Sequence, residues 1–455
     1  MKSSKVVVSI LLVFALLLAA CSSGGGGSTA SEPPAASSDS KGGDAAQPAP
    51  AADSGEKVEI RYAFWGMPEE VAVQEALKKR FEELNPNITV KLDLVSSTGD
   101  FFAALLTQIA GGKAPDVFYI GEALVSSLAS KDVLLDLMPY AQASGLDFSQ
   151  YFPANLDPMG YQEGHLWAFP KDTTPYMMYY NKDLFDKAGV PYPTPDWTWD
   201  DFVEKAKALT IKADNGRVSQ YGYAADLGWP PMITTIYKNG GTVMNDDRTA
   251  FTLDQPESID AIEKTRRLMY EDGVAPSPEG LQGLGVGNMD LFNSQKAAMI
   301  SGGRWVAFFA QPLKANWGVV PFPAGKPGSP SPLLFVTLAA PKTTKYPEQA
   351  WKFIEFSISE EGQKIISSTG LGLPVRKSVL DEGGWLLGNE PKEHIGIYRG
   401  ELEKAASLPF HPEWAKTIDE IMWRETDTVF RNKASAADAV AKMVTEANKV
   451  LAESK

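Results

Sequence analysis

From residue 58 onward, short β-branched and aromatic runs alternate with segments whose apolar residues recur every three or four positions. Residues 58–64 read as a strand. Residues 69–84 read as a helix with Val73, Leu77, Phe81 and Leu84 along one stripe, stopped by Pro86, and residues 88–94 read again as a strand. Residues 99–110 predict a helix capped by Ser97 or Thr98 and closed by Gly111-Gly112, followed by a buried strand over 116–120. Such alternation implies parallel pairing in an α/β layer, and open parallel sheets gather ligands beyond the carboxyl ends of their strands. Those ends carry Trp65, then Ser96 to Thr98, then Glu122: an aromatic plate, hydroxyls and a carboxylate.

A second α/β unit follows Phe169-Pro170. Residues 176–180 are strand-like, residues 182–188 a short helix closed by Gly189, and Thr198-Trp199-Asp200-Asp201 reads as a capping box for a helix reaching Leu209. Later, residues 296–300 form a strand signal before Ser301-Gly302-Gly303-Arg304-Trp305, where glycines let a ligand approach the backbone beside an aromatic ring. Residues 333–340 read as another strand and Pro347 opens an amphipathic helix, after which the chain is mainly helical. The expectation is two lobes, each with its own sheet.

The chain of 455 residues is 44% hydrophobic and 22% charged, enough for a large core. Its formal charge of −14 opposes the basic surface that phosphate backbones demand, so no nucleic-acid partner is expected. One cysteine and three histidines exclude a disulfide framework and a Cys/His-rich zinc site; no metal and no cofactor are expected. Lys2 and Lys5 precede an apolar run over residues 6–20, shorter than the roughly 20 residues that span a bilayer, and so suited to a secretion signal. That run ends in Leu18-Ala19-Ala20-Cys21, which resembles the lipobox of bacterial lipoproteins. The resemblance implies cleavage before Cys21 and its lipidation on the outer face of the plasma membrane. Residues 22–56 hold no Leu, Ile, Val or aromatic residue and cannot offset their ordering entropy by burial; they read as a tether with a reach of roughly 30–35 Å.

Trp65-Gly66, Ala114-Pro115-Asp116-Val117, Tyr180-Asn181-Lys182-Asp183-Leu184-Phe185 with Ala188-Gly189-Val190, Trp197-Thr198-Trp199-Asp200-Asp201-Phe202, and Lys296-Ala297-Ala298-Met299-Ile300 with Gly303 and Trp305 follow one another along the body. In that order, and continued by Ala350-Trp351-Lys352-Phe353-Ile354 and Gly372-Leu373-Pro374-Val375, they resemble family 1 extracellular solute-binding proteins, the sugar-capturing receptors of ABC importers, similar in plan to maltose-binding protein. The resemblance implies a two-lobed periplasmic-binding-protein-like α/β fold of type II, each lobe a mostly parallel sheet flanked by helices. It implies a monomer that holds solute in the interlobe cleft, closes over it, and delivers it to permease subunits. The chain would cross between lobes near residues 169–172, 333–335 and 374–376. The divisions that follow are a signal peptide over 1–20, lipidated Cys21 and tether over 21–56, an N-terminal lobe of 57–169 plus 334–373, and a C-terminal lobe of 170–333 plus 374–455.

Sugar recognition combines aromatic plates for C–H-rich pyranose faces with charged and amide partners for the hydroxyl rim. Trp65, Trp229 and Trp305 lie at strand ends or in Gly/Pro-containing loops and are the candidate plates. Glu122 and Asp172 are candidate hydroxyl acceptors, and Arg304 and Arg376, beside the proposed cleft turns, candidate donors. Trp197 and Trp199 are expected to pack, Tyr179, Tyr180 and Trp351 to lie in the core, and His411 to sit in a surface turn. The competing class is a lipid-anchored enzyme acting on carbohydrate, which would need two carboxylates flanking one bond. The chain has no Gly-x-Ser-x-Gly, His-Glu-x-x-His or P-loop motif, and Gly283-Leu284-Gly285-Val286-Gly287 lacks the strand and helix of a dinucleotide fingerprint and reads as a loop.

Overall fold

A computed structural model describes residues 57–95, 98–310 and 316–454. The leader, Cys21, the tether, Ser96 and Ser97 lie outside the described residues. In chain order the strands are β1 (Val58–Trp65), β2 (Ile88–Val95), β3 (Val117–Gly121), β4 (Phe169–Pro170), β5 (Thr174–Pro175), β6 (Met177–Asn181), β7 (Ile211–Lys212), β8 (Val218–Ala224), β9 (Ala297–Gly302), β10 (Trp317–Pro321), β11 (Leu333–Leu334) and β12 (Val336–Ala339).

Local chemistry accounts for the flanking helices. Pro68 sits in the first turn of the helix Pro68–Leu84, with Glu69 and Glu70 beside its positive end, and Val73, Leu77 and Phe81 are buried. Phe81 meets Phe353 edge-on at 5.1 Å, joining this helix to Pro347–Ile358. Leu84, which the spacing places on the same stripe, is 49% exposed because the helix ends there and the chain turns at Asn85 toward β2. The helix Trp199–Leu209 carries the capping box its sequence announces: the Thr198 hydroxyl accepts from the Asp201 N–H, and the Asp201 carboxylate accepts from the Thr198 N–H.

Two sheets organise the body. The first runs β2-β1-β3-β12-β4 and the second β10-β6-β9-β8-β7. Pairing is parallel from β2 through β1 to β3, and between β8 and β9, as the alternation of strands and helices implies. The antiparallel pairs β12 with β3 and β4, and β6 with β9 and β10, have one cause. β12 and β6 each enter their sheet from a connection to the other sheet, so they start at the end where β3 and β9 finish and must run the opposite way.

Between the sheets, β5 pairs antiparallel with β11, Leu333 opposite Pro175 and Leu334 opposite Thr174. Thr173 also exchanges backbone hydrogen bonds of 3.0 Å with Leu373, laying a third segment alongside. One core lies against the first sheet and against one face of the second, to which Met177, Tyr179, Ile300 and Val319 contribute, and another lies on the other face of the second sheet. Ile60, Phe64, Phe118 and Ile354 belong to one, and Phe202, Ile233, Met299 and Val320 to the other, every one of them buried. A buried side chain of this size contributes roughly 1.5–3 kcal/mol. Among the described residues, no helix is long and apolar enough to cross a membrane.

Candidate ligand-binding cleft

The carboxyl ends of β1, β3, β8 and β9 supply the candidate surface. On the first sheet, Trp65 ends β1 half-buried, its ring held by Phe101, Phe102 and Tyr119 at 5.2, 5.1 and 5.3 Å. Glu122 follows β3 as the first residue of the helix Glu122–Ala129 and is buried. Its neighbour Ala123 packs against the buried cluster that contains Tyr176, Leu334 and Trp414.

On the second sheet, Trp305 follows the β9 turn and is half-buried against residues of both cores. Its six-membered ring lies over Gly303, where an added Cβ would stand 2.2 Å from the ring, so only glycine permits this placement. The Trp305 ring also meets Tyr176 at 6.4 Å, nearly perpendicular. Trp229 opens the helix Trp229–Lys238 just beyond β8, its ring edge against Trp414 at 6.2 Å. Asp226 orders that turn, accepting from the Gly228 N–H at 3.0 Å and from the Tyr176 hydroxyl at 3.0 Å. Burial first, and the Asp226 carboxylate second, hold the Tyr176 hydroxyl protonated well above the usual tyrosine range. On the neighbouring strands the Tyr223 and Ser301 hydroxyls share a hydrogen bond of 2.6 Å. The structure therefore gathers Trp229, Trp305, Tyr176 and Asp226 on one wall, with Trp65 and Glu122 at the strand ends of the other. Tyr176 and Asp226 are additions to the sequence-based set; the Asp-x-Gly spacing of Asp226 and Gly228 beside Trp229 is the signal that could have found them.

Arg304 is corrected as a ligand contact, and the candidates Asp172 and Arg376 each have partners within the chain. Arg304 is completely buried and all five of its N–H groups are used. They go to Gly370 O, Trp385 O, the Tyr398 hydroxyl and both Glu390 oxygens, the last at 2.6 and 2.5 Å. Burial disfavours both charges, yet Tyr398 and Glu390 raise the guanidinium further, while His394 and Arg304 bring Glu390 down to about 2. Arg304 is the anchor that fixes the Trp305 turn. Asp172 accepts from the Val336 N–H at 2.9 Å and from Lys171 Nζ at 2.5 Å, and its side chain lies where a Cβ on Gly372 would fall. It pins the three connecting segments together. Gln363, fully buried, does the same from behind, donating to Lys171 O and accepting from the Val375 N–H. Arg376 leans on Tyr151, bonding its hydroxyl at 3.2 Å. Of the residues expected to pack, Trp197, Trp199, Tyr179, Tyr180 and Trp351 are all buried. His411 is half-buried, its Nδ1 accepting from the Glu413 N–H at 3.1 Å.

Comparison with known proteins agrees with the two-sheet fold. Residues 66–364 match the family described as bacterial extracellular solute-binding protein. The ABC substrate-binding protein Lmo0181 of Listeria monocytogenes, solved in complex with cycloalternan, is 29% identical with a TM-score of 0.78, over 87% of this chain and 100% of that one. The GacH receptor of Streptomyces glaucescens, solved unliganded and with acarbose, shares the fold at 22% identity and a TM-score of 0.72, over 87% of this chain and 100% of its own. Among curated proteins, the erythritol/L-threitol-binding protein of Mycolicibacterium smegmatis is 27% identical over 338 residues, 67% of this chain and 68% of that protein. The arabinooligosaccharide-binding protein of Bacillus subtilis is 27% identical over 330 residues, 68% of this chain and 72% of that protein. With two sheets, paired connecting strands and a match over most of its body, the chain belongs to the bacterial extracellular solute-binding proteins.

Proposed function

We propose that this protein is the substrate-binding lipoprotein of an ABC importer, capturing a sugar or oligosaccharide between its lobes and delivering it to the membrane permease. The observation that carries the reading is the wall formed by Trp229 and Trp305, two half-buried indoles set beside the Tyr176–Asp226 hydrogen bond. Indole faces suit the C–H faces of a pyranose, and buried, oriented hydroxyl and carboxylate groups suit its hydroxyls. Relatives whose names cite arabinooligosaccharide or erythritol, and neighbours solved with cycloalternan or acarbose, support carbohydrate as the class. No reacting pair of carboxylates is needed, since capture and release leave the solute unchanged. Thermal unfolding against a carbohydrate panel tests this. A cognate sugar raises the melting temperature because it binds only the folded state, and it is recovered intact. No shift with any sugar overturns the reading, and consumption of the sugar replaces receptor with enzyme.

The anchor rests on Leu18-Ala19-Ala20-Cys21 ahead of a segment without large apolar residues. Cys21→Ala is expected to move the protein from the membrane pellet to the soluble fraction; retention in the pellet after a salt wash contradicts a lipid anchor on the outer face.

A further inference from the structure

The sequence holds two Asn-Gly pairs, Asn215-Gly216 and Asn239-Gly240, and the fold treats them in opposite ways. In such a pair the backbone nitrogen of the glycine can reach the side-chain amide carbon of the asparagine, because glycine carries no Cβ to shield that nitrogen. The surroundings decide whether it does. Asn215-Gly216 is the tip of the hairpin that joins β7 to β8, at the edge of the second sheet. Residues 213–217 are all exposed, and a Cβ added to Gly216 would meet no atom within 4 Å. Asn215 Oδ1 accepts from the Arg217 N–H at 3.0 Å, a donor placed where negative charge develops when the amide carbon is attacked. Two backbone bonds of 2.8 Å close the tip, Gly216 N–H to Ala213 O and Ala213 N–H to Arg217 O. Both lie on exposed residues, where local opening requires little free energy.

Asn239-Gly240 is the same pair held shut. Asn239 follows the helix Trp229–Lys238 and is buried. Its Nδ2 donates to Glu257 O at 2.7 Å and to Asp260 Oδ2 at 3.1 Å, and its Oδ1 accepts from Lys264 Nζ at 2.7 Å. Lys264 polarises this amide as Arg217 polarises the other, so the difference between the two pairs is freedom to move. Gly325 packs on Asn239 Oδ1 so closely that no Cβ fits there, the Gly240 N–H donates to Tyr237 O at 2.9 Å, and Lys326 covers Gly240. A carboxylate at position 239 would also face Asp260.

We propose that Asn215 is a self-modifying position of the folded protein, with water as its only co-reactant. Hydroxide removes the Gly216 N–H proton, the nitrogen electron pair bonds to Asn215 Cγ, and the Cγ–Nδ2 bond breaks, so that ammonia leaves with a proton taken from water. The cyclic imide then adds one water. Opening of its N–Cγ bond gives aspartate, and opening of its bond to the backbone carbonyl gives iso-aspartate, with one more carbon in the main chain. Either product places a new negative charge beside Asp214. The hairpin stands at the amino end of β8, whereas the turn of Asp226 and Trp229 follows its carboxyl end, so a more acidic form accumulates with its ligand wall unaltered.

Peptide mass spectrometry on the full chain, held in mildly alkaline buffer either folded or in guanidinium chloride, measures conversion at positions 215 and 239 together. In the folded chain position 215 is expected to convert at least tenfold faster than position 239, with iso-aspartate among its products, and denaturant is expected to bring the two rates close together. Asn215→Gln, whose longer side chain does not form the five-membered ring, is expected to remove the acidic form seen on isoelectric focusing while unfolding at the wild-type temperature. Equal rates in the folded chain overturn the proposal, as does a position 215 that converts in denaturant but not when folded. An acidic form that persists in Asn215→Gln also overturns it. The converted chain is expected to unfold with the unconverted one; a lower temperature contradicts a change confined to the hairpin tip.

Discussion

Glu390→Gln is expected to lower the folding free energy by about 3–5 kcal/mol, the scale of leaving one member of a buried ion pair uncompensated. The side chains of Glu390 and Arg304 are both 0% exposed, so no water replaces the lost charge. The amide keeps the size of the carboxylate but removes its charge and turns one acceptor oxygen into an NH2 group facing N–H donors, and urea unfolding reads the combined loss. The pH dependence has a definite sign. Glu390 is held at about 2, below its ordinary 4.5, so its contribution is complete above about 4.5 and disappears as the pH falls toward 2. Wild type is expected to lose stability across that acid window faster than the variant, whose position 390 does not titrate. An unfolding midpoint equal to wild type at neutral pH would show that the pair contributes nothing. The pair also has a mechanical consequence. Arg304 precedes Trp305 and is tied to Gly370, Trp385 and Tyr398, so the loop that presents the indole is braced from behind by a distant part of the chain.

Trp305→Ala is expected to weaken sugar binding by about 1–3 kcal/mol, the scale of losing a large stacked aromatic contact, with the fold largely retained. The ring is half-buried and lies on Gly303, so its removal uncovers backbone and the edge of Tyr176 without emptying either core. Trp229→Ala should act in the same direction, with some loss of stability because Trp414 behind it is fully buried. Unchanged affinity in both variants by calorimetry would return the two indoles to packing roles and leave Trp65 and Glu122 as the remaining candidates.

What the sequence discloses here is local. The helix Lys182–Ala188, the Thr198–Asp201 capping box, the turn before Trp305 and Pro347 at a helix start are all legible because their causes lie within a few residues. The reversed directions of β12 and β6 are not, since they follow from strands arriving through the connecting segments. The site divides in the same way. Trp229 and Trp305 are visible beside strand-end turns, but Tyr176 and Asp226 meet across 50 residues and neither is conspicuous alone. Arg304 resembles a donor at a glycine turn because its partner Glu390 lies 86 residues further on. Asp172, next to a connecting strand, looks like a cleft acid until Val336, 164 residues away, takes one of its oxygens.

The central claim is that a ligand touching both walls closes the lobes by rotation at the three connecting segments. Those segments are narrow, with β5 and β11 sharing a two-residue pairing and Thr173 and Leu373 a single bridge. Small backbone rotations there move whole sheets, and a ligand that contacts both walls favours the closed population by its differential affinity. Small-angle scattering on a chain beginning at Lys57, recorded with and without saturating cognate sugar, measures this directly. Closure predicts a smaller radius of gyration with sugar bound, reversed when the sugar is dialysed away; an unchanged radius at saturation would contradict it.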